Sequence, residues 1–488
     1  MPDSQTSEVS HGGGQLPDWQ VADLPAPLPF NRRNLFQVIG PGAILLATSI
    51  GGGEWLVGPA AAVRFGTSVM WIATIAIGFQ LIFNLEGIRY TLYTGEPIYS
   101  GFMRLRPASG FWAMFYGLLA VFQLGWPALA LSTAGTVFSL AMGRLPGADP
   151  SDGWAMQWIG TGVIGLVAAV LLFGDTIERM LEYASWVMLV YIFGFLLTVN
   201  IIFVPLSHTL ETLRGFLVVS AMGDQIDWAL LGALVGTAAS GGIGNLTITN
   251  WIRDKGFGMG ARVGAIESAV GGRETRLSPT GTVFPITDEN LRRWNGWWRY
   301  VHIDQVAIWA VFCFIGLFLN VNLATSLATP GTSLQGLAAG AYQAQYMAEH
   351  MWTGFWILAL LNGFWILFST CLGNTDLLVR TVTDLSWTGS ATLRRIARDK
   401  PSHIYYFVLL VFSVWGAFAI RLAGPFVLFQ ILANMAGLVL AIAGVQIFRV
   451  NRTLLPVALR PPAWREGLLL GCSAFYAFFT ARVIWSFF

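Results

Sequence analysis

The sequence predicts an all-α integral membrane protein with about eleven spanning helices. Three observations carry that reading. Hydrophobic residues make up 55% of the 488 and charged residues only 11%, against roughly 25% charged in soluble domains. The mean hydropathy is +0.61. Apolar stretches long enough to cross a bilayer, each needing about 20 residues, recur along the whole chain. They fall at 35–64, 67–93, 110–142, 155–174, 181–206, 227–251, 303–322, 352–374, 403–422, 425–447 and 464–487.

The remaining composition narrows the class. Lys plus Arg number 28 and Asp plus Glu 26, a net charge of +2, which gives no electrostatic case for a nucleic-acid partner. Cys313, Cys371 and Cys472 sit in apolar runs, so buried thiols are expected and not a disulfide framework. Residues 1–30 carry Pro, Gly and Ser without an apolar core segment, which reads as a disordered cytoplasmic tail and not a signal peptide. No loop gathers a nucleophile and base or a metal-ligand cluster, so neither enzyme activity nor a cofactor is expected.

The first and third spans are the longest, which predicts a break or strong tilt in each. Orientation follows from arginine and lysine placement. With the N-terminus inside, only Arg64, Arg144, Arg214, Arg421 and Arg482 fall outside. This puts the N-terminus in the cytoplasm and the C-terminus outside, in a plasma membrane and, for a bacterium, the inner membrane. In the loop 252–302, Arg292, Arg293 and Arg299 interleave with Trp294, Trp297 and Trp298, the pattern of a helix anchored in the membrane interface. GFGMGARVG at 256–264 lacks a preceding strand and is no dinucleotide loop. Asp376, Arg380 and Asp384 follow the eighth span at helical spacing and read as a solvated, salt-bridged face in preference to an inner gate.

Two broken helices carry the functional signal. In the first span, Gly40-Pro41-Gly42 precedes Gly51-Gly52-Gly53-Glu54. Three glycines in mid-helix cost roughly 1 kcal/mol each and free carbonyls that lipid cannot satisfy. The sixth span carries a second break, Ser240-Gly241-Gly242-Ile243-Gly244-Asn245. If spans one to five and six to ten are inverted repeats, the breaks correspond, and such a pair points to a transporter's central site. Close helix packing alone explains one glycine cluster better than a matched pair. Glu54 is the acidic residue nearest a span's centre, where an ionised carboxylate costs on the order of 2.5–3.5 kcal/mol and needs a partner or a function. Glu86 lies near a cytoplasmic end with Arg89 three residues on and reads as a structural pair.

From Gly40 to Glu96 the chain resembles the first two helices of the NRAMP divalent-metal transporters. Gly40-Pro41-Gly42, eight residues, the break at 51–54, Phe65-Gly66, Trp71, Arg89 and Thr94-Gly95 match in order. The tenth span is similar to the family's helix ten, with Gln430 at its polar position. The resemblance implies a LeuT-like fold of two inverted five-helix repeats. It places residues 31–206 in the first repeat, 207–226 in an extracytoplasmic loop, 227–450 in the second repeat and 451–488 in an extra helix. It also implies a site formed by Glu54, the Gly51, Gly52, Gly53, Gly241 and Gly242 carbonyls, Ser240, Asn245 and Gln430, with Glu54 the metal ligand.

The ligand set departs from the family's. Asp-Pro-Gly-Asn of helix one is replaced by Gly51-Gly52-Gly53-Glu54. Met-Pro-His-Asn of helix six has no counterpart: aligned on Asn245, Gly242 and Gly244 stand at the Met and His, and aligned on Gly236, Ser240 and Gly242 do. The expected site, which also has the hydroxyls of Thr48, Ser49 or Ser240 at hand, is therefore all oxygen, spacious and glycine-lined. It suits Mg²⁺ better than Mn²⁺ or Fe²⁺. It could equally take a small organic solute whose ammonium meets Glu54. A non-transporting membrane sensor is a third reading, weakened by the want of a long soluble output domain. None of the five His lies at mid-span.

Overall fold

In the computed structural model of the chain, residues 16–147, 149–173, 177–222, 226–266, 277–328, 331 and 338–486 are described. Among them, nine helices are long and apolar enough to cross a membrane. Two further spans, the first and the sixth, are each broken into halves. Span 1 is Pro41–Ser49 followed by Gly58–Phe65, and span 6 is Trp228–Thr237 followed by Ile243–Asp254. The eleven expected spans are all present.

Local chemistry sets their ends. Span 2, Trp71–Thr94, stops at Gly95, which takes the left-handed conformation at φ 70 that closes a helix without a Cβ penalty. Span 4, Pro150–Leu172, starts from the Asp149 cap with Pro at its first position. Span 3 is broken, as its length predicted, into Ser109–Leu124 and Ala128–Met142. Two indoles satisfy carbonyls at this break: Trp126 donates to Phe122 (2.9 Å) and Trp415 of span 9 to Gly125 (2.8 Å).

Span 7 runs unbroken through Asp288–His302, a π-helical stretch Ile303–Ala310 and Val311–Leu327. The tryptophans at its start are not lipid anchors, as the sequence had suggested. Trp294 and Trp297 are buried in protein: Trp294 packs against Phe284, and Trp297 is held by the chain's own N-terminal segment. Residues 16–30 are likewise no disordered tail; residues 1–15 lie outside the described residues. Gln20–Val21 pairs in parallel with Thr282–Val283, and Leu24 is fully buried. Asn290 accepts from the Leu24 amide (3.1 Å), while Arg293 and Trp297 donate to the carbonyls of Leu24 and Pro25 (both 2.8 Å). The prolines that looked like disorder hold an extended strap instead. Residues 207–226 are not simply loop either, since Leu206–Leu217 is helical. Arg273 and Arg276 of the loop 252–302 fall outside the described residues.

Glu96 is the keystone of the strap. It accepts from Arg104 (2.9 and 2.5 Å), Tyr90 (2.5 Å) and the Gly281 amide (2.8 Å), and Arg104 donates onward to the Pro17 carbonyl (3.0 Å). Burial works to raise the carboxyl's pKa, but Arg104 and the hydrogen bonds outweigh it and hold Glu96 below its usual value. Its contribution is therefore present above the ordinary Glu range, about 4.3, and is lost as pH falls through the lowered native value. Hydrogen exchange in residues 16–30, corrected for intrinsic pH effects, is expected to accelerate in that acid window. In Glu96→Gln it is expected to be faster already at neutral pH; unchanged exchange in that variant would refute the keystone role.

Span 8, Gly354–Gly389, has 36 residues, about 54 Å of helix against a hydrocarbon core of about 30 Å. It continues well past the expected end and carries Asp376, Arg380 and Asp384 with it. These three are buried, at 0%, 0% and 3% exposure, and are not the solvated face the spacing suggested. The end of span 6 closes over them and supplies the opposing charges. Glu86 and Arg89 do form the expected structural pair (2.7 Å), which Arg465 of span 11, Ala463–Trp485, joins at 2.7 Å.

Candidate functional site

At the break in span 1, Ile50 leaves the helix (ψ 88). The chain resumes as a π-helical turn, Gly53–Val57, that contains Glu54. Such turns recur at functional positions. Span 8 satisfies the freed backbone: Ser369 donates to the Ala47 carbonyl (3.0 Å) and Thr370 to the Ile50 carbonyl (3.1 Å). The Gly51 amide donates to Glu54 Oε2 (3.0 Å). Glu54 is fully buried, yet its Oε1 has no hydrogen-bond partner. The Ala239 amide, at the facing break, lies within electrostatic reach of the same carboxyl.

The break in span 6 turns on Gly241 and Gly242, at φ 72 and 57, a conformation that L side chains rarely adopt. Two glutamines from neighbouring spans hold it. Gln80 of span 2 accepts from the Gly241 amide (3.0 Å), and Gln123 of span 3 donates to the Gly241 carbonyl (3.2 Å) and accepts from the Ile243 amide (3.0 Å). Sequence reading missed both, although a glutamine inside an apolar span was the available signal. Gln123→Leu is expected to leave the Ile243 amide unpaired, at about 1–3 kcal/mol, while the Gly241 carbonyl keeps the Gly244 amide (3.2 Å). Thermal unfolding in detergent should show a lower midpoint than for Gln157→Leu, whose side chain is half-exposed in span 4.

Asn245 does not face Glu54 with its amide nitrogen. It donates to Asn84 (2.9 Å), Asn84 donates to Gln305 (3.1 Å), and Gln305 donates to Asp304 (2.9 Å). Asp304 in turn accepts from the Gly40 and Gly42 amides (3.1 and 2.8 Å) at the start of span 1. This buried chain ties span 6 to the N-terminus of span 1, where a carboxylate is favoured by the helix dipole. Asp304 stands at the first apolar turn of span 7, which is why depth alone did not single it out.

The structure thus brings Glu54, Gly51, Gly52, Gly53, Ser240, Gly241, Gly242 and Asn245 to two facing breaks. It corrects the expectation of a spacious site. A Cβ on Gly51, Gly52 or Gly53 would overlap Thr370, the Phe429 ring and the Thr237 carbonyl, respectively. The breaks are closed on each other, and the glycines serve that close approach. Phe429, not Gln430, meets Gly52, and Gln430 is half-buried. The Gly51 carbonyl already accepts from the Trp55 amide (2.9 Å), and the Thr48 and Ser49 hydroxyls donate within their own helix (2.8 and 2.6 Å). Three acceptors remain buried without a donor: Glu54 Oε1, Ser240 Oγ and Asn245 Oδ1. The buried Cys313 thiol of span 7 lies within electrostatic reach of Glu54 and close to the Ser49 hydroxyl. No group of three or more His, Cys, Asp or Glu is placed to hold a metal among the described residues.

Solved structures of the Eremococcus coleocola manganese transporter share this architecture. The complex with an aromatic bis-isothiourea substituted compound superposes with a TM-score of 0.62 at 12% identity, covering 96% of this chain and 91% of that one. A glutamate-to-alanine mutant of the same transporter gives 0.63 at 12% identity, covering 95% and 90%. This chain has the fold of that transporter. The breaks expected in spans 1 and 6 are both present in this fold. No family model matches the sequence, and no curated protein matches it. The chain is a multi-pass membrane protein, and the structures compared with it above are those of a transporter.

Proposed function

We propose that this protein is a secondary-active transporter of the NRAMP-like type that moves a small divalent cation held at the two helix breaks, with Glu54 as the anionic ligand. The observation that carries the reading is Glu54 itself. It is a fully buried carboxyl with one oxygen unpartnered, it faces the break of span 6, and no lysine or arginine pairs with it among the described residues. A buried carboxyl of that kind ionises only beside a counter-charge, and a divalent cation supplies one. Ser240 Oγ and Asn245 Oδ1 are the neighbouring free acceptors; Gly52 and Gly242 offer carbonyls, and Gln430 can join once Phe429 withdraws. The donors are mainly hard oxygens, which favours Mg²⁺ with part of its water shell over Mn²⁺ or Fe²⁺.

The Cys313 thiol bears on that choice. Cys313→Ser is expected to leave uptake of a hard ion within about threefold, whereas a soft-metal carrier would lose its selectivity. Radiotracer or dye-based uptake of Mg²⁺ and Mn²⁺ by the same proteoliposomes reads the difference.

A second reading keeps the fold and replaces the metal by a small solute bearing an ammonium group. It is favoured by the single carboxylate and by the break carbonyls already engaged at Gly51 and Gly241. A thermal-shift series on the purified protein separates the two. Protection by Mg²⁺, Mn²⁺ or Ca²⁺ that is lost in Glu54→Gln supports the cation, and protection by organic amines alone overturns it. The proposed setting is a plasma membrane, the inner membrane in a bacterium, with the N-terminus cytoplasmic and the C-terminus outside. The ion pairs are consistent with that: Arg64–Asp227 and Arg144–Asp152 join residues assigned outside, and Arg104–Glu96 and Arg253–Asp384 join residues assigned inside.

A further inference from the structure

At the cytoplasmic ends of spans 6 and 8, five buried charged side chains form one alternating chain. Asp384 accepts from Arg253 (2.7 and 3.2 Å), and Arg253 also donates to Asp254 (2.7 Å). Arg380 pairs with Asp254 and donates to Asp376 (2.8 and 3.2 Å). The order is therefore Asp384, Arg253, Asp254, Arg380, Asp376, with both guanidiniums bridging two carboxylates. Arg253 and Asp254 come from span 6, and the other three from span 8. All five are buried, none more than 3% exposed at its side chain.

Three carboxylates face two guanidiniums, so the chain is one negative charge in excess. The groups around it do not cancel that charge. Tyr405 of span 9 and Trp251 donate to Asp376 (2.6 and 3.0 Å) as neutral partners. Tyr99, on the short helix Ile98–Met103, is near Asp384 and is also neutral. Lys255 is paired with Glu182 of span 5, and Glu86 of span 2 is committed to Arg89 and Arg465. Arg394 donates to the Trp387 and Thr388 carbonyls. Both host helices also end here, at Asp254 and Gly389, where the dipole opposes negative charge. A second observation marks where the imbalance sits. Asn250 donates to Asp384 through its amide nitrogen, while its Oδ1 is buried without a donor. It is the one acceptor of the cluster left unpaired, since every oxygen of Asp254, Asp376 and Asp384 has a donor.

We propose that this chain is a proton-binding lock between spans 6 and 8: it holds one proton when closed and releases it to cytoplasmic water when the two helix ends part. The proton belongs to the five groups jointly and not to one residue. Parting the helices splits the Arg253–Asp384 and Arg380–Asp254 bridges, hydrates all three carboxylates and frees the one proton they share. Closing takes one proton back onto a carboxylate oxygen. No covalent bond beyond that O–H changes, and the lock works alike whatever the helix breaks carry.

The test uses the full-length protein in nanodiscs with spin labels on cysteines introduced at Ala261 and Ala391, both exposed and flanking the lock. The three native cysteines are buried and stay unlabelled. Distance distributions are recorded between pH 5 and 9. For one proton, the closed-to-open ratio of the wild type is expected to fall by up to about tenfold per pH unit as pH rises. In Asp384→Asn, which leaves two carboxylates against two guanidiniums, the ratio is expected to be flat over the same range. A flat wild-type ratio overturns the proposal without reference to any variant. So does an Asp384→Asn ratio that follows the wild-type slope. Should Asp384→Asn fail to fold, infrared spectra of the wild type decide: a buried carboxylic-acid carbonyl band in the closed state supports the lock, and its absence overturns it.

Discussion

Glu54→Gln is expected to leave the protein folded and to reduce cation uptake into proteoliposomes by at least about 100-fold, the equivalent of losing roughly 3 kcal/mol at one buried charge. The amide is nearly isosteric and its oxygen can still accept from the Gly51 amide, as Glu54 Oε2 does now at 3.0 Å. Packing around Trp55 and the π-helical turn is thereby retained. What disappears is the negative charge, together with the unpartnered Oε1 as a carboxylate oxygen. Chromatographic behaviour and the thermal midpoint of the variant report on folding, and the uptake assay on function. Uptake at the wild-type rate from a folded Glu54→Gln protein would remove the residue from the site.

Gly53→Ala is expected to have the second-largest effect, through geometry and not charge. The added Cβ would fall on the Thr237 backbone carbonyl and beside its side chain, the point where the two breaks meet. Backbone on both sides cannot swing away as a side-chain tip can. Overpacking of this kind costs about 1–3 kcal/mol, and here it also forces spans 1 and 6 apart in the closed state. A lower unfolding midpoint and at least about tenfold slower uptake are expected. Gly78→Ala is the matched control, since a Cβ there meets nothing within 4 Å; its midpoint should stay within about 1 kcal/mol of the wild type. Equal behaviour of the two variants would show that the close approach of the breaks is incidental.

Much of the architecture was legible in the sequence because bilayer thickness imposes it. Twenty-residue apolar runs and glycine breaks are both one-dimensional signals. Glu54 was legible for the same reason, a carboxyl at mid-span being costly anywhere in a membrane chain. The polar partners of the breaks were not. Gln80, Gln123, Asn84 and Asp304 matter through contacts 118 to 264 residues away in sequence, and no local spacing encodes those. The strap of residues 16–30 was misread because its prolines suit an unstructured tail and an extended segment equally, and only the groove beside Asn290 and Trp297 decides between them. Asp376, Arg380 and Asp384 were misread as solvated because their counter-charges, Arg253 and Asp254, come from another span. The glycines of span 1 were assigned to a spacious site, whereas Phe429 and Thr370 fill the room they leave.

The most direct measurement is a structure determined with Mg²⁺ present at saturating concentration. A density is expected between the two breaks, with Glu54 Oε1 as a ligand at about 2.0–2.1 Å, a shift of Phe429 off Gly52, and remaining coordination from water, Ser240 or Asn245. A site that stays closed as it is here, with Phe429 on Gly52 and no ion at Glu54, would contradict it, as would an organic solute bound to Glu54 in the ion's place.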